Sequence, residues 1–135
     1  MPFYHATIRP GLLHPAAREG FAKDVVDVHC DVTGAPPSFV HVLITEDADG
    51  SALPAGDNAL VVGTIRAGRT ETQKVEIVDR VNNAMGLRAG VGAATVSTTI
   101  RDVQASYTME GGEVLPEPGS PEEERWKALG TAVRS

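Results

Sequence analysis

Two arginines three positions apart, Arg66 and Arg69, bracket Gly68 at the end of a strand-like run, and Pro2 directly follows Met1. A guanidinium is a planar fork that grips a carboxylate through two parallel hydrogen bonds. The pair has two readings: loop arginines held by surface partners, the commoner fate, or, around a glycine in a chain of formal charge −6, a natural anion site. Initiator methionine is normally removed ahead of a residue as small as proline, and its removal here leaves a secondary amine at the terminus. Terminal amines titrate near ~8, and an apolar pocket or neighbouring cations push that value down. A base near neutrality is what proton transfer requires. The ring also fixes the direction of the lone pair. His29 has two readings: a helix-end histidine meeting the last carbonyls, or a buried group at the edge of the apolar face. Glu110 likewise either decorates a solvated hairpin or closes a pocket. Cys30 neighbours His29, but adjacent helical residues point about 100° apart, so it reads as a small hydrophobe rather than half of a nucleophile pair. His5 reads as structural or at an interface. His14 and His41 lack acidic residues at ligand spacing, and no metal site is expected.

The elements that must hold these residues repeat. Thr7-Ile8-Arg9-Pro10-Gly11 recurs as Thr64-Ile65-Arg66-Ala67-Gly68, and internal repetition is the first thing to settle in a new sequence. After the first copy, Pro15 to about Thr33 predicts a helix, with Ala17, Phe21, Val25, Val28 and Val32 inward, Gly34 as the left-handed cap and Pro36-Pro37 forbidding continuation. After the second, Thr70 to Met85 predicts another, with Val75, Val78, Val81 and Met85 inward and Gly86 as the stop. Each is followed by a β-branched run, Phe39–Thr45 and Ala93–Ile100. The chain therefore reads as two fused β-α-β units, about 2–46 and 59–100. Right-handed crossovers then give one four-stranded sheet with both helices on one face. Beyond it, a hairpin from Ser106 to Pro116 turns at Gly111-Gly112. A short helix follows, starting at Ser120-Pro121 with Ser120 as cap and docked by Trp126 and Leu129. The cluster Glu122-Glu123-Glu124 is expected to serve the helix start and solubility.

Composition sets the outer bounds. At 135 residues one α/β domain over 1–135 is expected, with 101–135 as a C-terminal hairpin and tail. Twelve basic residues against eighteen acidic ones, without a basic stripe, make nucleic acid a poor partner. No run reaches the ~20 apolar residues of a membrane span. A single cysteine and a start without a signal-like stretch fit the cytoplasm. One sheet face has no helix to cover it and wants other subunits.

These features together resemble the tautomerase superfamily, built on β-α-β units with an amino-terminal proline, and within it the cis-3-chloroacrylic acid dehalogenase group. The resemblance spans nearly the whole chain: the Pro2 strand, Asp27-Val-His29 leading to Thr33-Gly34, the Arg66-Ala-Gly-Arg69 loop, and Leu115-Pro-Glu-Pro-Gly119. It implies a homotrimer acting on a small carboxylate, without a cofactor, by keto–enol proton transfer on a 2-oxo acid or enol carboxylate. Pro2 carries over as general base and acid. His29, Arg66 and Arg69 carry over as substrate-binding residues. Glu110, five residues before the Leu-Pro-x-Pro-Gly segment, carries over as a group that activates water. Thr99 falls where the dehalogenases have a tyrosine that assists the glutamate, a departure that weighs against dehalogenation, and Tyr107 is the nearest substitute. Two alternatives follow: a hydratase or dehalogenase of 3-substituted (halo)acrylates, and a non-catalytic trimeric binding protein.

Overall fold

A computed structural model describes residues 1–134, with side chains described through residue 130; Ser135, the last residue of the expected tail, lies outside the described residues. Strand β1 is Phe3–Ile8, helix α1 Pro15–Thr33, β2 His41–Glu46, β3 Ala59–Arg66, α2 Glu71–Ala89 and β4 Val96–Val103. The hairpin strands β5 (Met109–Glu110) and β6 (Glu113–Val114) follow, then α3 (Pro121–Arg134). The sheet order is β2-β1-β3-β4. Each β-α-β unit pairs its own strands in parallel, and the units meet antiparallel through β1 and β3, Tyr4 opposite Gly63 and Ala6 opposite Val61. Alternation places Tyr4, Ala6 and Ile8 of β1 with Ala59, Val61 and Ile65 of β3 on one buried face. Phe21, Val25 and Val28 of α1 and Ile77, Val81 and Met85 of α2 complete that core. On the other sheet face Phe3 and Leu43 are exposed.

Both helices begin with side-chain caps. His14 accepts from the Ala16 N–H ahead of Pro15, and Thr70 forms a capping box with Gln73. The second helix outruns the expected stop. Gly86 lies inside it, the helix runs on to Ala89, and Gly90 takes the left-handed cap at φ 70°. The need for glycine at position 86 is steric: a Cβ there would stand 2.9 Å from the Val91 carbonyl oxygen as the chain folds back. The inward seam also shifts, with Ile77 in the core in place of Val75, which is 56% exposed.

The expected strand starts move inward as well. Pro37–Phe39 and Ala93–Thr95 form single 3-10 turns before β2 and β4. Phe39 leaves the sheet to stack on Trp126 at 4.1 Å between ring centroids, and with Ala105 and Leu115 it forms a second small core. Gly111 and Gly112 both have positive φ, as a two-residue turn between right-twisted strands demands. Leu129, expected to dock α3, is half exposed, and Gly130 takes the close contact instead. Its Cα approaches so near the Phe39 ring that an added Cβ would overlap it.

Candidate active site

The β1 edge of the first core, the α1 end and the loop after β3 converge at one end of the sheet. Pro2 is buried and its carbonyl accepts from the His41 N–H, which ties the chain start to β2. The ammonium group of Met1 pairs with the carboxylate of Glu110 on the hairpin. His29 sits five residues before cap Gly34 and is 2% exposed. Of the two readings open to it, the buried one holds. Its Nδ1 shares a 2.8 Å hydrogen bond with the Tyr4 hydroxyl, and the two rings meet edge to face.

Burial lowers the His29 pKa to about 3, assisted by the charges of Arg69, the chain terminus and Arg66. The imidazole is therefore neutral at physiological pH. The antiparallel register, with Phe3 opposite Thr64, brings the chain start beside the end of β3, and the Tyr4–His29 bond ties the end of α1 to the same place, with Glu110 joined to it through Met1. Burial likewise pushes the Tyr4 phenol upward, opposed by the charge of Arg69.

The two arginines meet different surroundings. Arg66 is buried: Nη1 donates to the Pro116 carbonyl at 2.5 Å, Nη2 meets Glu123 Oε2 at 2.5 Å, and Cζ stands 4.8 Å from the Trp126 ring centroid. The partner expected for it was a substrate carboxylate; the one it has is Glu123. Arg69 is half buried, and its Nε is shielded from solvent without a hydrogen-bond acceptor among the described residues. Burial, then the charge of Arg66, lowers its pKa.

Glu123 corrects the expectation that the three glutamates serve only helix start and solubility. It is buried, and it also accepts from the Gly119 N–H at 3.1 Å. Burial alone would raise its carboxyl pKa. The Gly119 hydrogen bond, the Arg66 hydrogen bond and the charges of Arg66 and Lys127 together hold it below the usual range. The Ser120 hydroxyl, expected as the cap, is buried without a partner among the described residues; the Glu123 N–H donates to the Ser120 carbonyl instead.

Tyr4 was missed by sequence reasoning, although a signal existed. It lies two residues from Pro2, so strand alternation puts both on the same face. Opposite it is Gly63, where a Cβ would stand 2.5 Å from Tyr4 Cε1, so the glycine makes the seat for the ring. Tyr107, the proposed substitute for the tyrosine absent at Thr99, is 82% exposed in a 3-10 turn beside the hairpin. Thr99 itself is exposed on β4. Cys30 is half buried against the main core. His5 bonds Thr45 across β1 and β2 at 2.8 Å. Among the described residues no group of histidines, cysteines and carboxylates could hold a metal ion, and no helix is long and apolar enough to cross a membrane.

No family model matches the chain, and no curated protein does. Solved structures do. N1, a member of the cis-3-chloroacrylic acid dehalogenase family, superposes at a TM-score of 0.84 with 24% identity, over 98% of this chain and 99% of its own. Native Ps01740 matches at 0.74 with 34% identity, over 81% of this chain and all of its own. A fused 4-OT, a wild-type symmetric trimer, matches at 0.75 with 25% identity, over 84% of this chain and 95% of its own. The chain thus shares its fold with solved relatives over most of its length, and it belongs to the tautomerase superfamily, with the fold of its cis-3-chloroacrylic acid dehalogenase group.

Proposed function

We propose that this chain, once Met1 is removed, is a tautomerase that moves a proton between oxygen and carbon of a 2-oxo acid and its enol. The observation that carries the reading is the convergence of a buried Pro2 with neutral His29 and two guanidinium groups at one end of the sheet. Removal of Met1 would turn the Pro2 nitrogen from an amide into a secondary amine. Its shielded position and the adjacent guanidinium charges disfavour the protonated form, so the amine is a base near neutral pH.

In ketonisation, the neutral amine takes the enol hydroxyl proton and the oxygen becomes a carbonyl. The electron pair shifts to the neighbouring carbon, which receives the proton back from the ammonium form of Pro2. The arginine end holds the carboxylate and stabilises negative charge on the oxygen as it develops. In the tautomer in which the Tyr4 hydroxyl donates to His29 Nδ1, the hydrogen is on Nε2, and that neutral imidazole serves as a hydrogen-bond donor to the bound acid. The carbonyl itself stores the charge, and the reaction asks for no cofactor. A homotrimer fits the exposed sheet face carrying Phe3 and Leu43, and the fused 4-OT relative forms one.

Mass spectrometry of the purified chain, followed by ultraviolet assay of phenylenolpyruvate ketonisation in wild type and Pro2→Ala, tests the reading. A mass lacking methionine and a rate that collapses in the variant are expected; a retained Met1, or equal rates, rejects it. The position of Glu110 against the chain start also favours a second reading, in which Glu110 activates water for addition to a 3-substituted acrylate. Halide release from cis-3-chloroacrylate would select that reading over simple ketonisation.

A further inference from the structure

Arg66 and Arg69 flank the same glycine, yet Arg66 has its hydrogen-bonding fork turned to the protein's own tail. Pro116 and Glu123 take its two terminal nitrogens, and Trp126 covers its face. Glu123 in turn holds the Gly119 N–H, so one carboxylate joins the Pro116–Gly119 segment, the start of α3 and the end of β3. That segment presses on the arginine loop: a Cβ on Gly68 would stand 2.9 Å from Pro118 Cγ, and Gly68 has φ 114°. Arg69, on the far side of Gly68, keeps a buried Nε donor without an acceptor among the described residues, and its charge acts on the buried, hydrogen-bonded Tyr4 and His29 pair.

We propose, resting on the reading above, that the two arginines have separate jobs. Arg69, together with His29, receives the substrate carboxylate; Arg66 is a positioning residue that, through Glu123, fastens the Pro116–Gly119 segment against the loop that aims Arg69. A carboxylate ligand taking the Nη2 donor of the buried Arg66 would have to expel Glu123, stranding a buried anion. Arg69 needs no such exchange, because its orphaned donor gains a partner when an acid binds. The chain thus recognises its acid with one guanidinium and a neutral imidazole rather than with an arginine pair.

Phenylpyruvate is the probe, its binding followed by calorimetry on the whole chain and stability by thermal melting. Arg69→Lys should weaken binding tenfold or more and leave the melting temperature almost unchanged, because lysine keeps the charge but loses the fork. Glu123→Gln should lower the melting temperature by about 10 °C. Well below that melting point it should also weaken binding about threefold or more, as the Gly68 loop loses its backing. An unchanged Kd in Glu123→Gln overturns the positioning role. A tightened Kd overturns it too, since it would mean that Glu123 had been competing with the acid for Arg66.

If Glu123→Gln does not fold, the wild-type chain still decides. On titration with phenylpyruvate, the Nε–H resonance of Arg69 should shift in 15N NMR and that of Arg66 should stay; the reverse overturns the assignment, as does an absence of saturable binding. A chain that binds phenylpyruvate in this pattern but does not ketonise phenylenolpyruvate fails the proton-transfer reading and leaves the division of labour standing.

Discussion

Five residues before the cap of α1 stands His29; five before the cap of α2 stands Met85. Both helices have 19 residues and end on a left-handed glycine, and both positions are buried against the same sheet. In the strands, Ala59 takes the place of Pro2, and Val61 that of Tyr4. Arg9 and Arg66 close their strands at the matching repeat position, yet Arg9 is exposed and Arg66 is buried under α3. The halves thus share one scaffold and divide the polar groups between them. The first half supplies proline, tyrosine and histidine; the second supplies both arginines, because only its loop is covered by the tail. The twofold repeat builds the sheet, and its broken symmetry builds the site.

That comparison can be broken at its most consequential point by Pro2→Ala, which makes the first strand begin as the second does. Loss of the base should lower the ketonisation rate by about 10²- to 10⁴-fold in the ultraviolet assay. Next is His29→Met, which copies the second helix into the first. The Tyr4 hydroxyl is left buried without its partner, and the loss expected at pH 7 is about 1–3 kcal/mol by urea denaturation.

The same variant sharpens the comparison through pH. The His29 pKa is about 3 in the folded chain against 6.5 unfolded. Below 6.5 the unfolded chain therefore binds a proton that the folded chain refuses, and stability falls as pH drops, by about 1.4 kcal/mol per unit until the folded value is reached. Urea midpoints at pH 7 and pH 4.5 should show a smaller acid loss in His29→Met than in wild type. Glu123, held low, also loses stability on acidification, so wild type and variant should both weaken and the difference between them reports His29.

Of similar size is Gly63→Ala. It gives β3 the alanine that Ala6 supplies at the matching position of β1, yet drives a methyl into the Tyr4 ring at a cost of about 1–3 kcal/mol in the same denaturation measurement. The smallest effect belongs to Arg9→Ala: an exposed arginine without the Glu123 clamp should cost no more than about 0.5 kcal/mol, whereas its repeat mate Arg66 is held by three contacts.

Particular residues explain what was legible beforehand. The inward row Phe21, Val25, Val28 follows helical spacing and needs nothing beyond local pattern, so α1 matches its predicted bounds of Pro15 and Thr33. The end of α2 was misread because a glycine signals both a stop and a close approach. At Gly86 the second meaning applies, and the approaching Val91 carbonyl comes from outside the helix pattern. Phe39 looked like a strand residue by propensity and became the floor for Trp126, a partner far along the chain. Glu123 looked like a solvated charge for the same reason: its partners Arg66 and Gly119 meet it only after α3 docks.

The residue sequence by itself determined the two β-α-β units, the bounds of α1 with its Gly34 cap, and which positions carry proline, histidine and arginine, since hydrophobic period and backbone-restricting residues act over a few neighbours. Tertiary structure alone decided that Tyr4 holds His29, that Glu123 occupies Arg66 and that the buried Arg69 Nε has no acceptor among the described residues. Those outcomes depend on desolvation and on contacts between segments remote in the chain, and no local pattern encodes which charge will be buried against which.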